Sequence, residues 1–264
     1  MIKSIFTDLQ KLAYLNSGYI IRKNFFSNEE VKILQFETEK LFKAGKFKNV
    51  ATAEDQTESF SKKNLQLIPL FEHSRIFRSL PYQKKVVKAI SELIGDPYIL
   101  HTDQIFLKPA NNGIGTSWHQ DNSYFKIDDP LKGVALWIAI NDANLENGSM
   151  RLIPGLHMKL LDHERDPNSN HHIRCFPQEE NAKVIELKAG GAIFFCYGVP
   201  HCTAANFSNK DRAGVAYHYI HEDFCTEEVN CYPNYCRYIT GKKSSGGMNE
   251  YGLEVECEFF FNNY

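Results

Sequence analysis

Trp118-His119-Gln120-Asp121 is the stretch of the sequence from which the rest of the chain can be placed. His119 and Asp121 are two residues apart, so on an extended strand their side chains would point to the same side. His201 follows 82 residues after His119 and can add a second imidazole. Two histidines and one carboxylate on one face of an octahedral metal leave the other positions open, a ligand set typical of non-haem Fe(II) oxygenases.

A His-x-Asp pair alone is weak evidence for a metal site, because chance produces it in many chains. Arg212 strengthens the interpretation, since a strand returning from His201 would offer its guanidinium group to a carboxylate ligand. Taken alone, His119 would be read as a surface histidine, and Arg212 as a surface charge after the turn at 209–211. The four residues together favour the metal site.

The composition limits the classes of protein. The chain has 264 residues, of which 43% are hydrophobic and 13% aromatic, and this can fill the core of a single domain. A formal net charge of −2 gives no reason to expect nucleic acid or an anionic membrane as partner. The sequence has no apolar run long enough to span a membrane and no signal peptide. We therefore expect a cytoplasmic protein whose seven cysteines are reduced thiols.

Helices come first in the sequence and strands afterwards, which favours an α+β, mainly β fold with the helices packed outside. Ser27 and Glu30 form a capping box at the start of one helix, and Gly95 can end another. Predicted helices are 3–16, 28–44 and 81–94, and predicted strands are 18–22, 99–108, 133–141, 149–153, 183–188, 191–197 and 213–221. Residues 45–73 are either a solvated loop or a mobile flap. Residues 222–256, with Cys231 and Cys236, are expected to form an insert, followed by a last strand at 257–261.

Three stretches resemble the phytanoyl-CoA dioxygenase family: QIFLKPANNGIGTSWHQDNSYF (104–125), GVALWIAINDANLENGSMRLIPGLH (133–157) and GAIFFCYGVPHCTAANFSNKDRAG (191–214). The resemblance covers roughly residues 98–221 and extends loosely to 18–41. It implies a double-stranded β-helix, or jelly roll, within a single domain 1–264, with a helical part at about 1–97 and the core at about 98–264. It also implies Fe(II), 2-oxoglutarate and dioxygen as cofactor and cosubstrates.

The same resemblance suggests further site residues. Thr203 would be a hydroxyl donor near the distal carboxylate of 2-oxoglutarate, and Gln104 and Trp137 would be cosubstrate contacts. Trp137 is equally well explained as a core residue, and Thr116 is an additional candidate. Asp121 also bears on the reaction, because halogenating relatives keep this position small so that chloride can bind the iron. A carboxylate here indicates hydroxylation or another oxidative outcome.

Six other histidines are expected to lie in strands or on the surface: His101, His157, His171, His172, His218 and His221. For His157 we expect a structural hydrogen bond. A zinc site of His218, His221 and Cys225 has irregular spacing and lacks a paired Cys-x-x-Cys motif. Cys202 has no nearby base or triad of the kind that thiol enzymes use.

The leading hypothesis is therefore an oxygenase that hydroxylates a small-molecule metabolite or natural-product intermediate and releases succinate and carbon dioxide. A non-catalytic jelly-roll protein that binds a metal or ligand is the alternative, and a zinc hydrolase on the same ligands is a third possibility. Specificity is expected in the segments 45–73, 122–132, 158–175 and 222–250, which carry no recognised motif. The sequence does not identify the substrate or the oligomeric state.

Overall fold

Two antiparallel β-sheets face each other in the computed structural model, which describes residues 3–226, 237–252 and 255. The fourteen strands are β1 (Tyr19–Arg22), β2 (Lys48–Asn49), β3 (Leu65–Leu67), β4 (Tyr98–Lys108), β5 (Thr116–His119), β6 (Gly133–Ala139), β7 (Met150–Leu152), β8 (Glu164–Arg165), β9 (Ile173–Arg174), β10 (Lys183–Ile185), β11 (Ala192–Cys196), β12 (His201–Thr203), β13 (Arg212–His221) and β14 (Arg237–Tyr238).

The large sheet has the order β1-β11-β6-β13-β4-β3-β2, and β14 also pairs with β4. The small sheet has the order β10-β7-β12-β5, and β8 and β9 form a separate two-stranded ribbon. Strand β13 lies between β4 and β6 and pairs with both along its length. This arrangement is a jelly roll, and it places the ends of β4, β5, β12 and β13 around one interior space.

The helices are α1 (Asp8–Ser17), α2 (Asn28–Lys43), α3 (Arg75–Ser79), α4 (Lys84–Ile94), α5 (Asn122–Phe125) and α6 (Met248–Tyr251), with 3-10 turns at Leu80–Tyr82, Pro130–Lys132 and Glu222–Phe224. The capping box of α2 is present, because the Ser27 side chain accepts from the Glu30 amide and the Glu30 carboxylate accepts from the Ser27 amide. Gly95 ends α4 as expected. This helix begins three residues later than predicted, because Pro81 lies in the preceding 3-10 turn.

The N-terminal part contributes more than outer helices. Strands β1, β2 and β3 all join the large sheet, with β3 pairing along β4 and β1 along β11. The expectation of a loop or flap over 45–73 therefore misses two strands. They are only two and three residues long, too short to show an alternating pattern in the sequence.

The main core lies between the large sheet and the helices. Phe194 of β11 packs edge to face against Phe6 and Phe25, with ring centroids 5.3 and 5.4 Å away, and thereby ties the N-terminal segment to the sheet. Each described helix is too short or too polar to cross a lipid bilayer. Cys175, Cys196 and Cys202 are buried free thiols. The predicted strand 257–261, Cys231 and Cys236 lie outside the described residues.

Candidate active site

The strand that carries His119 ends before it reaches Asp121. His119 is the last residue of β5, whereas Asp121 has helical backbone angles (φ −58°, ψ −32°) and directly precedes α5. The expectation that both side chains share one strand face is therefore wrong. The chain turns into α5 at this point, and the amides of Tyr124 and Phe125 donate to the Asp121 carbonyl. The turn still brings the carboxylate close to His119.

His119, Asp121 and His201 form the only group of three or more possible metal-ligating side chains in the part of the chain that the structure describes. Across the small sheet, His201 of β12 is paired with His119 of β5. Oδ1 of Asp121 lies 3.9 Å from Nε2 of His119 and 3.8 Å from Nε2 of His201. One ligand atom from each residue fits within 4.8 Å of the others. Two imidazole nitrogens and one carboxylate oxygen in this arrangement suit Fe(II).

Both imidazoles are oriented by backbone carbonyl groups. Nδ1 of His119 lies 2.8 Å from the Ser117 carbonyl oxygen, and Nδ1 of His201 lies 3.0 Å from the Val199 carbonyl oxygen. A proton on each Nδ1 leaves Nε2 unprotonated and available to a metal. Burial, together with the neighbouring His201, lowers the pKa of His119 to about 3, so the ring is neutral at physiological pH.

Asp121 is ionised in this setting. Burial alone would raise its pKa, but the neighbouring His201 and His218 outweigh burial and hold the pKa below its usual value. The site therefore presents one negative charge and the neutral imidazole of His119 to a cation, with the His201 imidazole beside them.

A cavity of about 410 Å³ adjoins the three ligands and lies between the two sheets. One end of it, which we call the cationic end, is lined by Lys108, Arg212, Thr203 and Trp137. Lys108 and Arg212 are each only 1% exposed, and neither has a carboxylate within ion-pair distance among the described residues. Burial lowers the pKa of Lys108 well below its usual value, to which the nearby Arg212 charge also contributes. Two buried cations without an anion are costly unless a ligand supplies the negative charge.

Thr203 connects Lys108 to the small sheet. Its Oγ1 accepts from Nζ of Lys108 at 2.7 Å and from the Thr116 amide at 3.0 Å. With both lone pairs of the oxygen engaged, the hydroxyl proton is directed to another acceptor. Arg212 donates to the Gly148 carbonyl, while its Nε has no partner in the described parts of the chain. Both groups are therefore poised to donate to a carboxylate.

Trp137 on β6 is both a core residue and a cavity residue. Its indole ring covers Gly214 of β13, where an added Cβ would come within 2.2 Å of the ring. The Arg212 guanidinium carbon lies 5.6 Å from the centre of the same ring. Because Gly214 has no side chain, the indole of Trp137 can pack against β13 beside the Arg212 guanidinium. In this position the indole restricts the rotamers of Arg212. Gln104 on β4 also lines the cavity and accepts from Gln66 at 2.6 Å.

Another part of the cavity, which we call the open end, is lined by Tyr124, His171 and His172. Tyr124 is 38% exposed and His171 is exposed, in contrast to the cationic end. Asn64 and Gln66 also line the cavity, from the segment that pairs with β4. Together these five residues come from three of the segments in which the sequence predicted specificity. The open end holds phenol and imidazole groups, and burial lowers the pKa of both histidines, so it is polar but uncharged.

Hydrogen bonds and a β-bridge connect residues 50–52 to the residues that directly precede His171 in the sequence. Ala51 bridges to Ser169, the Thr52 amide donates to the Asn168 carbonyl at 3.2 Å, and Thr52 Oγ1 donates to the Pro167 carbonyl at 2.8 Å. We use the name strap for residues 50–52 and 167–170. It joins the segment predicted as a loop or flap to the segment 158–175.

All eight predicted site residues line this cavity, and the residues that sequence reasoning missed include Lys108 and His218. Lys108 shares the cavity face of β4 with Gln104, and His218 shares that of β13 with Arg212. Period-two counting from the predicted residues would have found both, because residues an even number apart on a strand face the same side. Lys62 and Lys63 of the segment 45–73 are absent from the cavity lining, and Lys63 instead lies 4.0 Å from Glu58.

Of the other histidines, His157 makes the expected structural contact, with Nε2 3.1 Å from the Leu15 carbonyl oxygen. His218, His221 and Cys225 do not form a cluster of possible metal ligands in the described structure, so the irregular zinc set is not assembled. His218 instead lines the cavity, contrary to the expectation of an ordinary strand histidine.

Comparison with known proteins agrees with this geometry. The family model of phytanoyl-CoA dioxygenase (PhyH) matches residues 14–214. The ectoine dioxygenase of Bordetella bronchiseptica is 23% identical over 225 residues, which cover 78% of this chain and 72% of the relative. A 2-aminoethylphosphonate dioxygenase of an uncultured bacterium is 23% identical over 263 residues, covering 95% and 98% of the two chains. The structure of EctD from S. alaskensis with 2-oxoglutarate and 5-hydroxyectoine has a TM-score of 0.67 at 19% identity and covers 85% of this chain and 79% of that chain.

Proposed function

Because the chain belongs to the phytanoyl-CoA dioxygenase family, we propose that His119, Asp121 and His201 hold Fe(II) and that the cationic end holds 2-oxoglutarate. The chain is an Fe(II)- and 2-oxoglutarate-dependent dioxygenase, an oxidoreductase that acts on a small molecule. When bound, these groups together with dioxygen supply the oxidation of a substrate C–H bond with release of succinate and carbon dioxide. The protein's part is to position the substrate and exclude water.

The observation that carries the proposal is the pair of buried basic side chains beside the three ligands. Lys108 and Arg212 lie in the same cavity as the ligands and lack an anion in the described structure. A dicarboxylate can place one end at the metal and the other between the two cations, so one ligand satisfies both sites. Arg212 would bind the distal carboxylate with its fork of N–H groups, and Lys108 would add a point charge.

Neighbouring residues would complete the cosubstrate site. Thr203 has its hydroxyl proton free for the same carboxylate, because its oxygen already accepts twice. Trp137 would hold the guanidinium plane in place. Gln104 lies four residues before Lys108 on the same face of β4 and would contact the cosubstrate from there, with Thr116 on the opposite sheet.

The substrate would bind at the open end. A cavity of about 410 Å³ must also hold the cosubstrate, which favours a compact molecule over a long acyl chain. No carboxylate other than Asp121 lines the cavity in the described structure, so a substrate cation would find no counter-charge there. Imidazole and amide donors instead suit carboxylate or phosphonate oxygens. Relatives named for ectoine and 2-aminoethylphosphonate support a small polar metabolite of this kind.

The reaction we propose is hydroxylation, not halogenation. Oδ1 of Asp121 faces both ligand imidazoles and occupies the position that a halide would need. The substrate is therefore expected to gain oxygen even in high chloride or bromide. A chlorinated product from the unmodified protein would mean that Asp121 does not bind the metal.

The test is to load the protein anaerobically with Fe(II), add 2-oxoglutarate, and record the visible spectrum before and after admitting oxygen. We expect a weak charge-transfer band, followed by succinate formation that compact carboxylates or phosphonates stimulate. Isotopic dioxygen should label the product. A non-catalytic binding protein would form no succinate, and a zinc hydrolase would be active without oxygen; either result would contradict the proposal.

A further inference from the structure

Each of the three proposed metal ligands has a second polar atom that does not face the metal. The three ligands differ in whether the protein holds this atom with a hydrogen bond. In His119 and His201 this atom is Nδ1, and a backbone carbonyl group accepts from it in each case. In Asp121 it is Oδ2, because Oδ1 faces both imidazoles. Oδ2 is buried and has no hydrogen bond within the described structure. A buried carboxylate oxygen without a donor carries a large desolvation penalty, so a partner is to be expected.

His218 is in the position to supply that partner. Its Nε2 lies 3.4 Å from Oδ2 of Asp121, on the side of the carboxylate away from the two ligand imidazoles. His218 is 5% exposed, and its Nδ1 has no partner among the described residues. The separation of 3.4 Å is a little longer than the usual N–H···O range of about 2.7–3.2 Å, and a small side-chain rotation would close it.

We propose that His218 is a positioning residue, whose Nε2–H donates to Oδ2 of Asp121 and so presents Oδ1 alone to the metal. This inference rests on the proposed function, because it assigns a role within that metal site. Each of the three ligands then has its second polar atom held by the protein. Such outer partners orient the ligands and strengthen metal binding.

The large sheet and its neighbours hold the imidazole of His218 in this place. On β13, His218 is opposite Thr102 of β4 and Ala135 of β6, and the pairing with β4 shifts register directly after it. The rings of Phe125 and Tyr197 lie 5.5 and 6.0 Å from the imidazole centre. A strand position next to a bulge, with aromatic rings around the side chain, restricts the rotamer and keeps Nε2 directed at Asp121.

The expected consequence is control of how many metal positions Asp121 occupies. With Oδ2 engaged by His218, the carboxylate contributes one oxygen and leaves three positions for other ligands of an octahedral metal. Without that donor, Oδ2 is free to turn toward the metal, or the whole carboxylate is free to rotate. Either change moves the carboxylate oxygens away from the geometry that the metal requires, and it does so before any cosubstrate or substrate binds.

The experiment is a Co(II) titration of the metal-free protein, without 2-oxoglutarate or substrate, followed by the visible d–d absorption. The variants are His218→Gln, His218→Asn and His218→Leu. The glutamine amide nitrogen reaches the place of Nε2, asparagine is one bond too short, and leucine has no donor. We expect Asn and Leu to weaken Co(II) binding by about 10–100-fold, the size of other outer-partner losses. We expect His218→Gln to bind Co(II) with an affinity near that of the parent protein and to keep the shape of its absorption band.

His157→Gln is the matched control, because His157 is also buried but lies 3.1 Å from the Leu15 carbonyl oxygen and does not line the cavity. Its Co(II) affinity should equal that of the parent. Thermal unfolding of each metal-free variant separates lost binding from lost folding. If His218→Leu fails to fold, the comparison of His218→Gln with His218→Asn still tests the inference.

Co(II) binding by His218→Leu as tight as in the parent would overturn the inference and leave the proposed function standing. Equal weakening in Gln and Asn would also overturn it, since the donor position would then be irrelevant. A parent protein that binds no Co(II) would instead contradict the metal site itself.

Discussion

The cationic end and the open end of the cavity are built from different kinds of backbone. Lys108, Thr203 and Arg212 all lie at the termini of paired strands, and each is held by hydrogen bonds to strand or turn atoms. The open end takes Tyr124 from the short helix α5 and His171 from a connecting segment, and both side chains are exposed. The contrast suggests that the shared chemistry is fixed by the sheets, whereas the choice of substrate depends on segments that can vary.

The largest effect should come from removing a proposed metal ligand, which lies between the two ends and serves both. His119→Ala, Asp121→Ala and His201→Ala should each lower succinate formation by more than about 100-fold, since even partners of ligands are worth 10–100-fold. Metal content should fall in parallel. His157→Gln is the control, because His157 bonds to the Leu15 carbonyl and does not line the cavity. Full activity in all three ligand variants would refute the site.

Next in size is the loss of Arg212. Arg212→Met should weaken 2-oxoglutarate binding by roughly tenfold to over a hundredfold, since a hydrogen bond to a charged group is worth about 1.5–3 kcal/mol. Fe(II) affinity measured without cosubstrate should change little. Lys63→Met provides the control, because Lys63 lies near Glu58 and outside the cavity. An unchanged 2-oxoglutarate titration for Arg212→Met would mean that the cationic end is not the cosubstrate site.

A smaller effect is expected at Lys108, and it depends on pH. Burial, with the Arg212 charge, lowers the pKa of Lys108 in the free protein and so favours its neutral form. A bound carboxylate should raise that pKa again, so binding takes up protons and the affinity for 2-oxoglutarate falls as pH rises. Calorimetry in two buffers of different ionisation enthalpy measures the uptake. Lys108→Met should abolish it, and an unaltered uptake in this variant would assign the proton to another group.

The same contrast explains what the sequence could predict. The motif residues lie on long strands or at their ends, where spacing carries over into geometry, and residues such as His119, Thr203 and Arg212 all reach one cavity. Strand alternation failed at Asp121, because a helical turn follows β5 directly. The turn still places the carboxylate beside both imidazoles, although the geometrical reason given for that placement was wrong.

At the open end the sequence could name segments but not contacts. His172 was expected to be an ordinary strand or surface histidine, yet it is buried in the cavity wall. Its position depends on the strap, in which residues more than 100 positions apart in the sequence pair with each other. Such long-range pairing between short segments leaves no periodic pattern to read. The same holds for β2 and β3, which the sequence placed in a loop.

The smallest expected effect tests whether the strap belongs to the open end alone. Thr52→Val removes the hydroxyl that donates to the Pro167 carbonyl at 2.8 Å and keeps the shape of the side chain. The lost hydrogen bond is worth about 0.5–1.5 kcal/mol, so hydrogen exchange at residues 50–52 and 167–170 should accelerate by roughly threefold to tenfold. Because none of these residues lines the cationic end, the affinity for 2-oxoglutarate should stay the same, as should exchange in β13. Thr57→Val, which removes an exposed hydroxyl bonded to Asp55, is the control and should leave the strap protected. If Thr52→Val weakened cosubstrate binding as well, the two ends would be coupled, and the division drawn between fixed chemistry and variable specificity would not hold.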